Sequence, residues 1–196
     1  GNENWWPVVE EHNTENYRMG VADAAGQLYY GPGRSIDISD TSYFEQTMSG
    51  NRSISDVQKG NFRGGDSVIV SIPILREGAA RGCVCLEYST MAVGELINTA
   101  ETKGIGATMA VDADGCLIAS FPGMEEFETL YDMLEGKQLT EGTVEELRQT
   151  IAGGAAGLRT YYGEGGFKDY IRFLYYQPAG INDWSIVTVV NGQQYQ

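Results

Sequence analysis

Apolar and polar positions along this chain follow two periods. Runs in which every second residue is apolar, or in which apolar residues continue unbroken, read as strands, whereas three- and four-residue spacing reads as helix. Ser67 to Leu75 leads through Arg76-Glu77-Gly78 into Arg81 to Tyr88, and Tyr170 to Tyr176 leads through Gln177 to Asp183 into Trp184 to Val190. Two shorter stretches, Ala22-Asp23-Ala24-Ala25-Gly26-Gln27-Leu28-Tyr29 and Val111-Asp112-Ala113-Asp114-Gly115-Cys116-Leu117-Ile118, each read strand, tight turn, strand. Asp at the first turn position and Gly at the last suit a hairpin that needs positive φ near its end. Asp112 to Gly115 lacks the third acidic ligand and the distal glutamate of an EF-hand, so the turn reading stands. Helical spacing covers Tyr43 to Met48, Thr90 to Thr102, Met124 to Leu134 and Thr143 to Ile151. Asp40 or Ser42 is the expected cap of the first, with Glu45 completing a capping box; Thr143 with Glu146 forms another, and Gly153-Gly154 ends that helix. Gly64-Gly65-Asp66 and Gly163-Glu164-Gly165-Gly166 fit turns and match neither a P-loop nor a dinucleotide fingerprint.

The order hairpin, helices, paired long strands occurs twice, which predicts an α+β fold of two tandem modules, each an antiparallel sheet flanked by helices. A length of 196 residues allows this. Two modules of about 90 to 100 residues can each bury a core. Tyr17 to Asp23, Ile38-Ser39-Asp40 with Tyr43-Phe44, Ile54-Ser55-Asp56, Gly82 to Glu87 and Asn182 to Val187, in this order, resemble the double Cache (tandem PAS-like) sensor domain. The resemblance is nearest to ectodomains of bacterial membrane-bound diguanylate cyclases, with histidine kinases and chemoreceptors as relatives. It implies a remnant of an N-terminal helix or linker over 1–16 and a membrane-distal module over 17–92. A connecting helix over 93–103, a membrane-proximal module over 104–190 and a tail over 191–196 toward a transmembrane helix would follow.

Composition narrows the function. A net charge of −14 and a pI near 4.3 repel phosphate backbones and anionic headgroups, which argues against nucleic-acid binding and polybasic membrane docking. No apolar run approaches the roughly 20 residues that cross a bilayer, and no signal segment leads the chain. Because it begins Gly1-Asn2-Glu3-Asn4 without methionine, the chain is expected to be an ectodomain from between two membrane helices, exposed outside the cytoplasm. Cys83 and Cys85 alternate on one strand, about 6.5 to 7 Å apart, near or beyond easy disulfide geometry, and Cys116 is left over. All three are expected to be buried thiols acting as small apolar residues. His12 is the one histidine, within a polar stretch, so a histidine-activated nucleophile or a histidine metal site has little to draw on. Abundant carboxylates leave an all-oxygen cation site open, but Glu125-Glu126 and Glu145-Glu146 read as solvated helix faces. No catalytic residue, metal or cofactor is expected, and this region is not expected to be an enzyme.

Three functional readings follow: a small-molecule sensor, a structural or protein-binding ectodomain, and an acidic secreted hydrolase. The resemblance favours the first, as a homodimeric receptor attached to the membrane by helices outside this chain. In amino-acid-binding members of that family the helix start carries an arginine for the ligand carboxylate, then Trp and Tyr, and an aspartate on the last strand pairs with the ammonium. The matching positions here are Thr41, Tyr43, Phe44 and Glu87, with Gln58 where another tyrosine often stands. Arg18 or Arg63 is the candidate for the missing cation, and Tyr29, Tyr30, Asp56 and Ser71 are candidate lining. With no arginine at Thr41, an amine or a polar neutral ligand suits the site better than an α-amino acid. The second module is expected to relay, its interior filled by Tyr161, Tyr162, Tyr170, Phe173, Tyr175, Tyr176 and Trp184.

Overall fold

Asp23 and Asp112 close their hairpins by the same device. The Asp23 carboxylate accepts from the backbone N–H groups of Ala25 and Gln27 at 2.9 and 3.0 Å. That of Asp112 accepts from Asp114 and Cys116 at 3.0 and 2.8 Å. Gly26 and Gly115 then take φ of 87° and 83°, a left-handed region open to glycine at little cost. The computed structural model describes residues 6–14, 17–59, 66–98, 106–121, 123–124, 126–163 and 170–192. The chain divides into two units, residues 1–92 and 93–196.

In the first unit, α1 (Trp6–His12) precedes β1 (Tyr17–Asp23), β2 (Gln27–Gly31), β3 (Arg34–Asp37), α2 (Ser42–Met48), β4 (Ser53–Ile54), β5 (Ser67–Arg76) and β6 (Ala79–Ser89). The strands form an antiparallel sheet in the order β3-β2-β1-β6-β5-β4. After α3 (Thr90–Ile97), which spans the boundary, the second unit runs β7 (Gly106–Val111), β8 (Leu117–Ala119), α4 (Leu130–Met133), α5 (Val144–Ala152), β9 (Gly157–Gly163), β10 (Tyr170–Pro178) and β11 (Ser185–Asn191). Its antiparallel order is β8-β7-β11-β10-β9. Setting aside the extra edge strand β3, the two orders are one plan: each unit's first strand pairs with its last. This is the tandem PAS-like α+β architecture that the sequence predicts.

Two helix expectations change. Thr41, not Asp40 or Ser42, is the N-cap of α2, with an extended backbone (φ −88°, ψ 140°) and no side-chain cap bond. Its hydroxyl donates instead to the Ile38 carbonyl at 2.8 Å. The helix expected from Met124 begins only at Leu130, because Thr129 and Asp132 form a complete capping box there and hold Thr129 extended. The residues upstream make single turns, Met124 to Phe121 and Phe127 to Met124. The Thr143–Glu146 box opens α5 as predicted, and Gly154 at φ 67° follows its end. Expected turns at Gly64-Gly65 and Glu164 to Gly166 lie outside the described residues, as do 99–102 of the helix expected to run to Thr102; α3 ends at Ile97. No helix among the described residues is long and apolar enough to cross a membrane.

Alternation sets each core. Ala22, Leu28, Ile38, Tyr43, Phe44, Ile69, Cys83 and Cys85 cluster in the first unit. In the second, Met109, Leu130, Leu134, Leu147, Ile151, Leu174 and Val187 are central. Tyr161 and Tyr176 join that interior and Trp184 is also buried, but Tyr162 and Tyr175 are 46 % and 49 % exposed. They stand next to Tyr161 and Tyr176 on the same strands, so the pleat turns them outward. Phe173 is half-buried, and the Tyr170 side chain lies outside the described set.

Candidate functional site

The inner face of the first sheet carries polar groups where apolar ones are the rule. Arg18, Glu87 and Ile69 lie side by side across β1, β6 and β5, and Gly20, Cys85, Ser71 and Ser53 form the next row out to β4. Paired residues share a face. Helix α2 packs over β5 and β6, bringing Tyr43 and Phe44 against this face at 3 % and 6 % exposure.

Glu87 is wholly buried. Ser67, also buried, donates from Oγ to Glu87 Oε1 at 2.8 Å. Ser55 Oγ accepts from the Ile69 N–H at 2.9 Å and donates to the Asp56 carbonyl at 2.7 Å. Ser53 Oγ donates to Gln46 Oε1 at 2.8 Å, and Thr47 Oγ1 to the Tyr43 carbonyl at 2.7 Å. Ser71 Oγ and Cys83 Sγ each lie 3.7 Å from Cys85 Sγ. Removing a carboxylate from water costs several kcal/mol unless polar groups replace the solvent. Ser67 supplies part of that replacement, at Glu87 Oε1.

Electrostatics keep the Tyr43 hydroxyl and the Cys85 thiol neutral. Burial pushes the Tyr43 phenol well above its ordinary value, against the opposing Thr41 hydrogen bond and with Cys85, Cys83 and Glu87 adding in the same direction. Cys85 is held protonated by its hydrogen bond with Cys83 and by burial. A face with one buried carboxylate and neutral hydroxyls suits a ligand that brings positive charge or hydrogen-bond donors.

Of the positions singled out in the sequence, the structure brings Tyr43, Phe44, Ser71 and Glu87 together on this face. Thr41, partly buried, stands at the start of α2. Gln58 is partly buried and forms a backbone bridge with Ser67, at 2.7 and 2.9 Å. Asp56 is exposed in the loop after β4. Tyr29 is a correction: it pairs with Val21 on the opposite face, is 39 % exposed, and its hydroxyl reaches Asp23 Oδ2 at 3.4 Å. Tyr30 is partly buried and stands at the register shift between Tyr29 and Gly31. Arg18 is exposed although it stands beside Glu87 in the sheet, and Arg63 lies outside the described residues. Cys116 is exposed, unlike the other two cysteines, because it follows the Asp112 turn rather than lying in the sheet. Ser53, Ser55, Ser67 and Thr47 were not singled out from sequence. The signal that could have found Ser67 and Ser71 is polar residues four apart in the apolar run Ser67-Val68-Ile69-Val70-Ser71.

No protein-family model matches the chain, and no curated protein matches it in sequence. Solved structures do resemble it. The extracellular domain of mmHK1S-Z3, a protein designated a histidine kinase, aligns with a TM-score of 0.59 at 15 % identity over 96 % of this chain and 77 % of that one. The ligand-binding domain of the Pseudomonas aeruginosa amino acid chemoreceptor PctB, in complex with L-Arg, aligns at 0.59 and 16 % over 96 % and 75 %. A domain from Vibrio parahaemolyticus, assigned to a sensory box/GGDEF family protein, aligns at 0.58 and 15 % over 98 % and 78 %. The likeness runs through both units: the chain has the double Cache-type fold of these sensor domains.

Proposed function

We propose that this chain is the extracytoplasmic small-molecule sensor of a bacterial transmembrane signalling protein, with its ligand held on the inner face of the first, membrane-distal unit. The observation that carries the reading is Glu87, wholly buried on the inner face, bonded by the Ser67 hydroxyl and near enough to Tyr43 to act on its phenol. Glu87 takes the ammonium or donor group of the ligand, and Tyr43 and Phe44 supply aromatic surface against a cation. Sharing a fold with chemoreceptor ligand-binding domains and a kinase extracellular domain supports the sensing role, and the sensory box/GGDEF likeness supports a diguanylate cyclase among the outputs. Binding signals by favouring one of two conformations, which requires different affinities for the two.

Thr41 stands where an arginine would clamp an α-carboxylate, so small amines and uncharged metabolites are the expected ligand classes. A thermal-shift panel of amines, uncharged metabolites and α-amino acids on the whole chain tests this. Stabilisation by an amine or neutral compound that is lost in Glu87→Gln is the expected result. Tight binding of an α-amino acid that persists in Arg18→Gln, or no response to any class, overturns it; the latter leaves a structural ectodomain.

A further inference from the structure

The second unit contains a cavity of about 550 Å³, lined by residues between Gly106 and Asn191. Volumes of about 300 to 1,000 Å³ are typical of pockets for small organic molecules. One wall is apolar: Phe121, Met124 and Phe127 from the chain between β8 and α4, with Met133 from α4. The other is the core face of the sheet. There Arg172 pairs with Tyr161 on one side and Asn191 on the other, so three polar side chains rise in one row from neighbouring strands. Lys137, partly buried just after α4, completes the lining.

The charge of this cavity is the reverse of the chain's. The sequence has 27 acidic and 13 basic residues, yet the described lining holds two cations and no carboxylate. Neither Lys137 nor Arg172 forms an ion pair with a described residue. Arg172 also has room made for it: a Cβ on Gly163 would come within 2.5 Å of its Nε. Burial holds the Tyr161 phenol above its ordinary value although the Arg172 charge opposes this, so Tyr161 presents a neutral O–H donor.

We propose that this cavity is a second ligand site, independent of Glu87, for an organic acid with an aromatic body. The carboxylate lies between Arg172 and Lys137, with the Tyr161 hydroxyl and the Asn191 amide as further donors. The ring packs on Phe121, Phe127 and the two methionines, where aromatic and thioether contacts are favourable. A small inorganic anion would leave the apolar wall uncovered, and an amine would be repelled by both cations.

Calorimetric titration of the whole chain with 3-phenylpropanoate, its uncharged amide and sulfate tests the site. The acid is expected to bind with one-to-one stoichiometry, the amide at least about tenfold more weakly and sulfate not at all. Arg172→Met and Lys137→Met are each expected to weaken the acid by about 10- to 100-fold, the usual effect of losing one charged hydrogen-bond partner. Lys137 follows α4 at a partly exposed position, so its variant keeps the test open if Arg172→Met folds poorly. Glu87→Gln is expected to bind the acid normally, and Lys137→Met to keep any amine response of the first unit. Failure of the acid to bind, equal affinity for acid and amide, unchanged affinity in Lys137→Met, or loss of acid binding in Glu87→Gln overturns the assignment.

Discussion

Replacing Ser67 by alanine deletes one oxygen at the centre of the proposed sensing face. That oxygen is buried and donates at 2.8 Å to a carboxylate that is itself out of water. A hydrogen bond to a charged partner contributes about 1.5 to 3 kcal/mol net, against about 0.5 to 1.5 for a neutral pair. In a domain of this size each kcal/mol moves the melting temperature by about 4 to 8 °C, so Ser67→Ala should lower the transition of the first unit by at least about 6 °C. Ser53→Ala is the matched control, since its hydroxyl is also buried but donates at 2.8 Å to the neutral Gln46 amide. Some of the Ser67→Ala effect is generic loss of a buried hydroxyl, so the decisive quantity is the coupling with Glu87→Gln. In the Gln background the acceptor is neutral, and Ser67→Ala should cost about 1 kcal/mol less than in the parent. Differential scanning calorimetry of the four proteins measures this, with the transitions of the two units fitted separately. If Ser67→Ala costs the same in both backgrounds to within about 0.5 kcal/mol, Ser67 does not support an ionised Glu87, and the account of the inner face fails.

Two further outcomes are expected. Native protein treated with a chromogenic disulfide at mildly alkaline pH should titrate one thiol quickly, Cys116, because Cys83 and Cys85 are fully buried; Cys116→Ser should leave none, and two fast thiols in that variant would refute the packing of β6. The Asp132 carboxyl is held below its ordinary value of 3.8 by its hydrogen bonds with Thr129. A group whose folded value is lowered contributes stability above its unfolded value and loses it as pH falls through the folded one. The urea midpoint of Asp132→Asn should therefore lie below that of the parent near neutral pH and converge with it in acid below 3.8; a gap that is constant with pH would exclude this link.

The tandem fold is legible because its signals are local. Asp23 with Gly26, and Asp112 with Gly115, specify their turns within four residues, and period-two runs between them leave few ways to pair. The start of α2 is not legible on the same terms. Asp40, Thr41 and Ser42 are all good caps, and only the extended backbone at Thr41 decides among them. Tyr29 and Tyr30 pose the same difficulty in a strand: both are aromatic, so composition cannot say which faces in, and a shift of one residue reverses the answer. Glu87 is reached through the family resemblance, and its two-residue spacing from Cys85 and Cys83 on β6 puts it on the same face as those buried thiols.

The second unit shows why an aromatic-rich sequence does not guarantee a filled interior. Tyr161-Tyr162 and Tyr175-Tyr176 look like four core rings, but a pleated strand spends one of each pair on the outer face, where Tyr162 and Tyr175 are found. The core-side positions that continue these strands are Gly163 and Arg172, the first without a side chain and the second charged. Upstream of α4, the Thr129–Asp132 box stops the helix from reaching back to Met124, so Phe121, Met124 and Phe127 come from turns and stand as a separate wall. Residues that are distant in sequence and unremarkable one by one thus enclose a space. The register Tyr161–Arg172–Asn191, which no local pattern encodes, determines that the space is positively charged.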